Sequence, residues 1–302
     1  MLSRHYLILA WISCVVMLVS PALAQERIKT IATFSILADL AKNVGGDRID
    51  VASLVGPNGD AHVYAPAPAD AKKVADANLV FTNGLGYEGW IARLVKASGT
   101  KAPVVIVSKG VKARKPEGGQ DHGHDHGGSD PHAWQAVDNV KVYVGNIRDA
   151  LVAADPAGKA HYEASAGAYL AKLDGLDRDI RDAVAKIPPE RRRIITTHDA
   201  FGYFKAAYGV DFVAPQGVST ESEASAKDVA KIINQIKKQK IPAIFVENVS
   251  DARLLKRISE ETGAKIGGTL YSDALTGPTG PAPTYIDMMR HNVETLAAAL
   301  MS

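Results

Sequence analysis

From residue 29 onward the chain alternates short apolar runs with stretches whose apolar residues recur every three or four positions. KTIATF (29–34) is followed by SILADLAKNVGG, in which Ile36, Leu37, Leu40 and Val44 share one helical face and Gly45-Gly46 ends it. IDVASLV (49–55), NLVFTN (78–83) and PVVIVS (103–108) read as buried strands, with a helix from about 87 to 97 between the last two. The second half repeats the scheme. RIITTHD (193–199) and FVAPQG (212–217) precede a helix opened by Ser225, with Asp228 completing a capping-box-like pair. AIFVEN (243–248), a helix from Ser250 to Thr262 closed by Gly263, KIGGTLY, and a final helix over 284–301 complete it. This alternation predicts an α/β protein with two parallel-sheet α/β lobes.

Between the halves, Tyr162, Ala166, Tyr169, Leu173, Leu176, Ile180, Val184 and Ile187 keep helical steps until Pro188-Pro189 stops them. A helix over 155–187 would span about 50 Å at roughly 1.5 Å per residue. It reads as one long rigid helix joining an N-terminal lobe (25–154) to a C-terminal lobe (188–302). Residues 115–131 (KPEGGQDHGHDHGGSDP) interrupt the first lobe. Gly-rich, acidic and His-rich, they have no apolar residue to bury and read as a surface loop.

Residues 1–24 read as a cleavable signal peptide. Arg4 precedes an apolar stretch over 6–19, and Ala22-Leu23-Ala24 is a small-x-small cleavage signal. A lipoprotein would need small residues before Cys14, and Trp11-Ile12-Ser13 match poorly. Cleavage after Ala24 leaves 278 residues (302 − 24) and no cysteine, so the exported chain has neither disulfides nor thiolate ligands. The net charge of +2 falls to about +1 on losing Arg4, which argues against a nucleic-acid or membrane-surface partner.

The candidate chemistry lies in four loops: GDAHVYAP (59–66), DPHAWQ (130–135), TTHDAFGYF (196–204) and LYSDALTG (270–277). They present His62, His132, His198 and Asp273, separated by 70, 66 and 75 residues. Ligands so far apart do not make a self-contained finger. A folded scaffold must gather them, one per strand-end loop, and neutral imidazole with a carboxylate suits a borderline ion such as zinc. Any one of these histidines alone fits a hydrogen-bonded structural role equally well; the set of four carries the metal reading. Sheets whose carboxyl ends face each other would form an interlobe cleft, with two ligands from each wall. Asp199 is a candidate N-cap, and His161 and His291 read as surface residues on their helices. His122, His124 and His126 alternate with small or acidic residues and form a weaker accessory metal site. Gly84, Gly86 and Gly89 make a GxGxxG, but it follows the third strand and lacks the acidic residue a ribose needs, so it reads as a tight turn. No GxSxG or HExxH occurs, which leaves no catalytic signature.

These segments resemble the zinc/manganese substrate-binding proteins of ABC metal importers, the helical-linker class of solute-binding proteins. The likeness runs through GDAHVYAPAPAD, SDPHAW, the His-rich insertion, TTHDAFGYF, IFVENVSDARLLKRISEETG and LYSDALTGPTGPAPTYIDMMRHNVETL. It implies a metal site at His62, His132, His198 and Asp273, in a monomeric periplasmic receptor that captures Zn²⁺ and delivers it to an inner-membrane ABC permease. A periplasmic zinc donor protein would be a further partner. Manganese-type members tend to carry a carboxylate where this chain has His198, so the resemblance favours zinc over Mn²⁺ or Fe²⁺. The alternatives are a manganese or iron receptor and, from another class, a zinc-dependent periplasmic hydrolase.

Overall fold

The computed structural model describes residues 26–116 and 128–301. The proposed signal peptide and His122, His124 and His126 lie outside them. Two four-stranded parallel sheets form the frame. The first contains β1 (Ile28–Phe34), β2 (Ile49–Val55), β3 (Leu79–Thr82) and β4 (Val104–Ile106), in the order β2-β1-β3-β4. The second contains β5 (Arg193–Ile195), β6 (Asp211–Val213), β7 (Ala243–Glu247) and β8 (Lys265–Leu270), in the order β6-β5-β7-β8. The two orders are the same, and each reverses direction beside its first strand. Parallel pairing requires crossovers, and helices supply most of them: α1 (Ser35–Gly45), α2 (Pro68–Ala75) and α3 (Ile91–Ser98) in the first half, α6 (Gly202–Tyr208), α7 (Ala226–Gln239) and α8 (Arg253–Thr262) in the second.

Three helices tie the halves together. α4 (Val137–Ala154) leads through a 3-10 turn at Pro156–Gly158 into α5 (Lys159–Ala185), 27 residues long, and α9 (Tyr285–Met301) closes the chain. The apolar stripe of α5 is buried as its periodicity demands, from Tyr162 through Leu173 to Val184. It packs on α1 and α4 from the first half and on α6 and α9 from the second. One hydrophobic core therefore runs from Ile31 and Phe34 through Leu173 and Leu176 to Phe245 and Leu270. A smaller cluster, including Ile195, Ile232, Ile236, Ile244, Leu255 and Ile258, seals α7 and α8 onto the second sheet. Among the described residues no helix is long and apolar enough to cross a membrane.

Several local expectations shift. The helix expected from residue 87 begins at Ile91. Gly84, Leu85 and Gly86 all hold positive φ (81°, 56° and 84°), so the chain first turns back on itself. The GxGxxG is thus a tight turn, held by Glu88, whose Oε1 accepts Asn83 N–H at 2.7 Å and the Thr33 hydroxyl at 2.6 Å. Ser225 does cap α7, accepting the Asp228 N–H at 3.2 Å. Ser250 does not cap α8; Asp251 accepts the Arg253 N–H at 2.9 Å instead. Asp199 is no cap either, because α6 begins three residues later, after Phe201.

The continuous core makes a stability prediction. Leu173 is fully buried where the connecting helix meets both halves. Leu173→Ala should cost about 2–5 kcal/mol. Urea unfolding should show one transition moved to lower denaturant; two separated transitions would mean that the halves are energetically independent.

Candidate metal centre

The structure brings His62, His132, His198 and Asp273 together, with one ligand-type atom of each within 4.8 Å of the others. His132, His198 and Asp273 are fully buried and His62 is 6% exposed. His62 stands in the loop after β2, His198 just past β5, and Asp273 just past β8. His132 departs from the strand-end rule: it immediately precedes a 3-10 turn, Ala133–Gln135, that feeds α4.

Backbone hydrogen bonds explain why these loops hold their shape. In Asp60-Ala61-His62 and Asp130-Pro131-His132 the aspartate two residues earlier accepts the histidine N–H, each at 2.9 Å. Asp130 Oδ1 also meets His132 Nδ1 at 2.9 Å. Glu247, at the end of β7, does the same for His198: Oε1 accepts the N–H groups of Thr197 and His198 at 2.7 and 3.0 Å, and Oε2 lies 2.6 Å from Nδ1. Asp130 and Glu247 therefore set the rotation of the His132 and His198 rings and leave each Nε2 facing the centre. Gly202 belongs to this packing, because a Cβ there would lie 2.6 Å from Asp130 Oδ2.

The inward atoms are closely spaced. His62 Nε2 is 3.2 Å from His132 Nε2 and 3.3 Å from Asp273 Oδ2. His198 Nε2 is 3.2 Å from the same Asp273 oxygen, and His132 Nε2 is 3.6 Å from Oδ1. Both Asp273 oxygens are buried without a well-directed hydrogen bond. Trp134, packed at steep angles against Phe34 and Tyr87, walls the site and donates its indole N–H to Ser272 O at 2.8 Å. Gln135 donates to the same carbonyl at 2.8 Å, so the 3-10 turn beside His132 also positions the loop bearing Asp273.

Charge is shared unevenly. Burial opposes protonation of His198, but the carboxylates of Glu247 and Asp273 outweigh it and hold the ring's pKa well above the ordinary imidazole value. Burial alone would raise Asp273; the charges of His198 and His132 and the close approach of the His198 and His62 rings hold it well below the usual carboxylate range. For His62 burial prevails over the pull of Asp273 and lowers the pKa.

His161 and His291 are not simple surface residues. Both are half-buried, with Nε2 3.1 Å from Gly45 O and Thr269 O respectively, and neither joins the four. The residues that sequence reasoning passed over are the carboxylates behind the histidines: Asp60, Asp130 and Glu247. Two signals were present, the repeated Asp-x-His at 60–62 and 130–132, and an acid ending the apolar run AIFVE.

Comparison with known proteins accords with this geometry. The family described as zinc-uptake complex component A, periplasmic, matches residues 31–299. The chain belongs to this family of metal-binding solute-binding proteins. It is 38% identical to the manganese-binding lipoprotein MntA of Halalkalibacterium halodurans, covering 91% of this chain and 89% of the relative. It is 34% identical to the iron-binding protein YfeA of Yersinia pestis, covering 92% and 88%. The periplasmic zinc binding protein TroA of Treponema pallidum superposes with a TM-score of 0.83 at 32% identity, covering 91% and 99%. The fold is that of TroA, with two parallel-sheet halves and a long connecting helix. The chain is a metal-binding receptor of a transport system and not an enzyme, which sets aside the hydrolase alternative.

The charge distribution makes a direct prediction for metal-free protein near pH 7.5. His198, its pKa raised, should carry protons on both ring nitrogens, and His62, its pKa lowered, on only one. Nitrogen-15 chemical shifts of the histidine rings report both states. A neutral His198 at that pH would show that Glu247 and Asp273 do not govern the ring.

Proposed function

We propose that this protein is the extracytoplasmic receptor of an ABC importer, that it holds one divalent ion between His62, His132, His198 and Asp273, and that zinc is the preferred cargo. One observation carries the reading: two imidazole nitrogens face each other at 3.2 Å in buried space, with a carboxylate 3.2–3.6 Å from all three rings. His198 Nε2 and both Asp273 oxygens are buried there without a well-directed hydrogen bond. A cation at their centre satisfies all of them at once.

Zinc is favoured on two grounds. Four ligands about 2.0–2.1 Å from a tetrahedral zinc stand roughly 3.3 Å apart, close to the spacings present. Three imidazoles with a single carboxylate are also softer than the oxygen-rich sets that suit manganese. The family description points the same way, whereas MntA and YfeA, named for manganese and iron, mark those ions as the competitors. The same family and the signal-like residues 1–24 support export; the reading places the chain in the periplasm, with an inner-membrane permease as the receiving partner and a zinc donor protein as a proposed further one. A lipid anchor, as borne by the MntA relative, is the competing form of attachment. His122, His124 and His126 would add weaker binding outside the enclosed site.

Chelator competition should show one tight zinc equivalent per chain. The double variant His132→Ala, His198→Ala should lose that affinity by at least about a thousandfold, since each change removes an inward nitrogen and leaves a carboxylate partner behind. Unchanged tight binding by the double variant would end the assignment. Binding must also displace the Nε2 proton of His198, whose metal-free pKa is raised. The bound state then carries fewer protons, so affinity should rise with pH by up to about tenfold per unit until the metal-free ring deprotonates. Calorimetry in buffers of different ionisation enthalpy should find close to one proton released per ion at neutral pH.

A further inference from the structure

The four ligands are not held alike. Behind His132 and His198 stand buried carboxylates: Asp130 hydrogen-bonds His132 Nδ1, and Glu247 Oε2 lies 2.6 Å from His198 Nδ1 as an ion-pair contact. Among the described residues nothing hydrogen-bonds the Nδ1 of His62. Its ring is held by edge-on packing against Tyr87, at 4.6 Å between centroids, and by the inward contacts of Nε2 with His132 and Asp273, with no carboxylate behind it. His62 is also the one ligand with measurable exposure, and the next residue, Val63, is 51% exposed. The backbone before it is fixed, because Ala61 O accepts the Trp90 indole N–H at 2.7 Å and Asn58 N donates to Leu275 O at 2.9 Å. Freedom at this corner therefore belongs to the His62 side chain and not to its loop.

A strap from the other half crosses at this corner. After β6 the chain runs beside the His198 segment, with Gln216 N donating to Thr197 O at 3.3 Å and Asp199 N to Gly217 O at 3.1 Å. It then reaches over to the first half, where the Thr220 hydroxyl donates to Asp60 Oδ2 at 2.6 Å. The other oxygen of Asp60 holds the N–H of His62. One carboxylate thus joins the least restrained ligand to a loop of the opposite half.

Building on the metal-receptor reading, we infer that His62 is the ligand that detaches when the ion leaves, and that the Thr220–Asp60 hydrogen bond is the strap that limits how fast it does so. His132, His198 and Asp273 form the fixed part of the cradle, enclosed and twice clamped. An ion leaving it parts first from the ring that can rotate at the partly exposed corner. Thr220 touches no ligand atom. Removing its hydroxyl should therefore change the rate of release far more than the number of ions held.

The test loads zinc into native protein, Thr220→Val and Thr220→Ser, measures zinc content, and follows release to a chromophoric chelator by stopped flow. All three should hold one zinc at the enclosed site. Loss of one hydrogen bond to a charged acceptor should speed release from Thr220→Val by about tenfold or more, while Thr220→Ser, which keeps the hydroxyl, should stay near the native rate. In a second arm, free imidazole should slow release from His62→Ala, since that corner is reached from outside, and should not do so for His198→Ala. Native release rates in Thr220→Val, or equal imidazole rescue at both positions, would overturn the strap and the detaching ligand while leaving the metal site standing. A native chain that takes up no zinc would overturn both readings together.

Discussion

The structure turns on one buried ion-pair cluster. Asp273 is fully enclosed, and an enclosed carboxylate is costly unless positive charge answers it. In the metal-free chain the answering group is His198, whose hold on a proton is raised, against the opposing effect of burial, by Glu247 and Asp273. A divalent ion would replace that proton with two units of charge at the point where three ring nitrogens and the carboxylate already converge. The same low-dielectric enclosure that makes the unpaired site expensive makes the filled one strong. On the proposed reading, capture would be a substitution of one cation for another within a preformed cage.

Everything outside the cage serves to keep its walls in register. The two halves share one core through α5, and α9 reaches back to α1, with Tyr285 N donating to Asp39 Oδ2 at 2.9 Å. The Tyr285 hydroxyl donates to Trp134 O at 2.8 Å, and Leu275 N to Ser35 Oγ at 2.9 Å. These bonds join the segments that carry His132 and Asp273 to opposite halves of the fold. A connecting helix buried along one face resists bending, so adjustment is concentrated in side chains and in the strap over Asp60. Rigid walls with a single yielding corner suit a receptor that must hold its cargo firmly and still give it up.

Much of this was legible in the sequence because period and breakers agreed. Alternating buried strands and amphipathic helices gave the two sheets, and the unbroken stripe from Tyr162 to Val184 gave the connecting helix. The four candidate ligands stood out because each sat in a turn-rich segment, three of them after an apolar run. Helix starts were less legible. Gly84-Leu85-Gly86 spends three residues at positive φ, which no hydrophobic pattern reveals, and α8 starts after Ala252, with Asp251 rather than Ser250 accepting the Arg253 N–H. The clamps were hidden for another reason. Asp130 and Glu247 lie 2 and 49 residues from the histidines they hold, and only the fold shows that the second distance closes to 2.6 Å. The strap is subtler still, since Thr220 and Asp60 are 160 residues apart and neither residue type signals a cross-cleft bond.

Anomalous diffraction at the zinc absorption edge, from crystals grown with one equivalent of zinc, addresses the central claim most directly. The account predicts one enclosed peak about 2.0–2.2 Å from the Nε2 atoms of His62, His132 and His198 and from an oxygen of Asp273. The clamping contacts of Asp130 and Glu247 should be unchanged around it. Zinc elsewhere, or an ion bound there with His198 still protonated and turned away, would contradict the preformed cage.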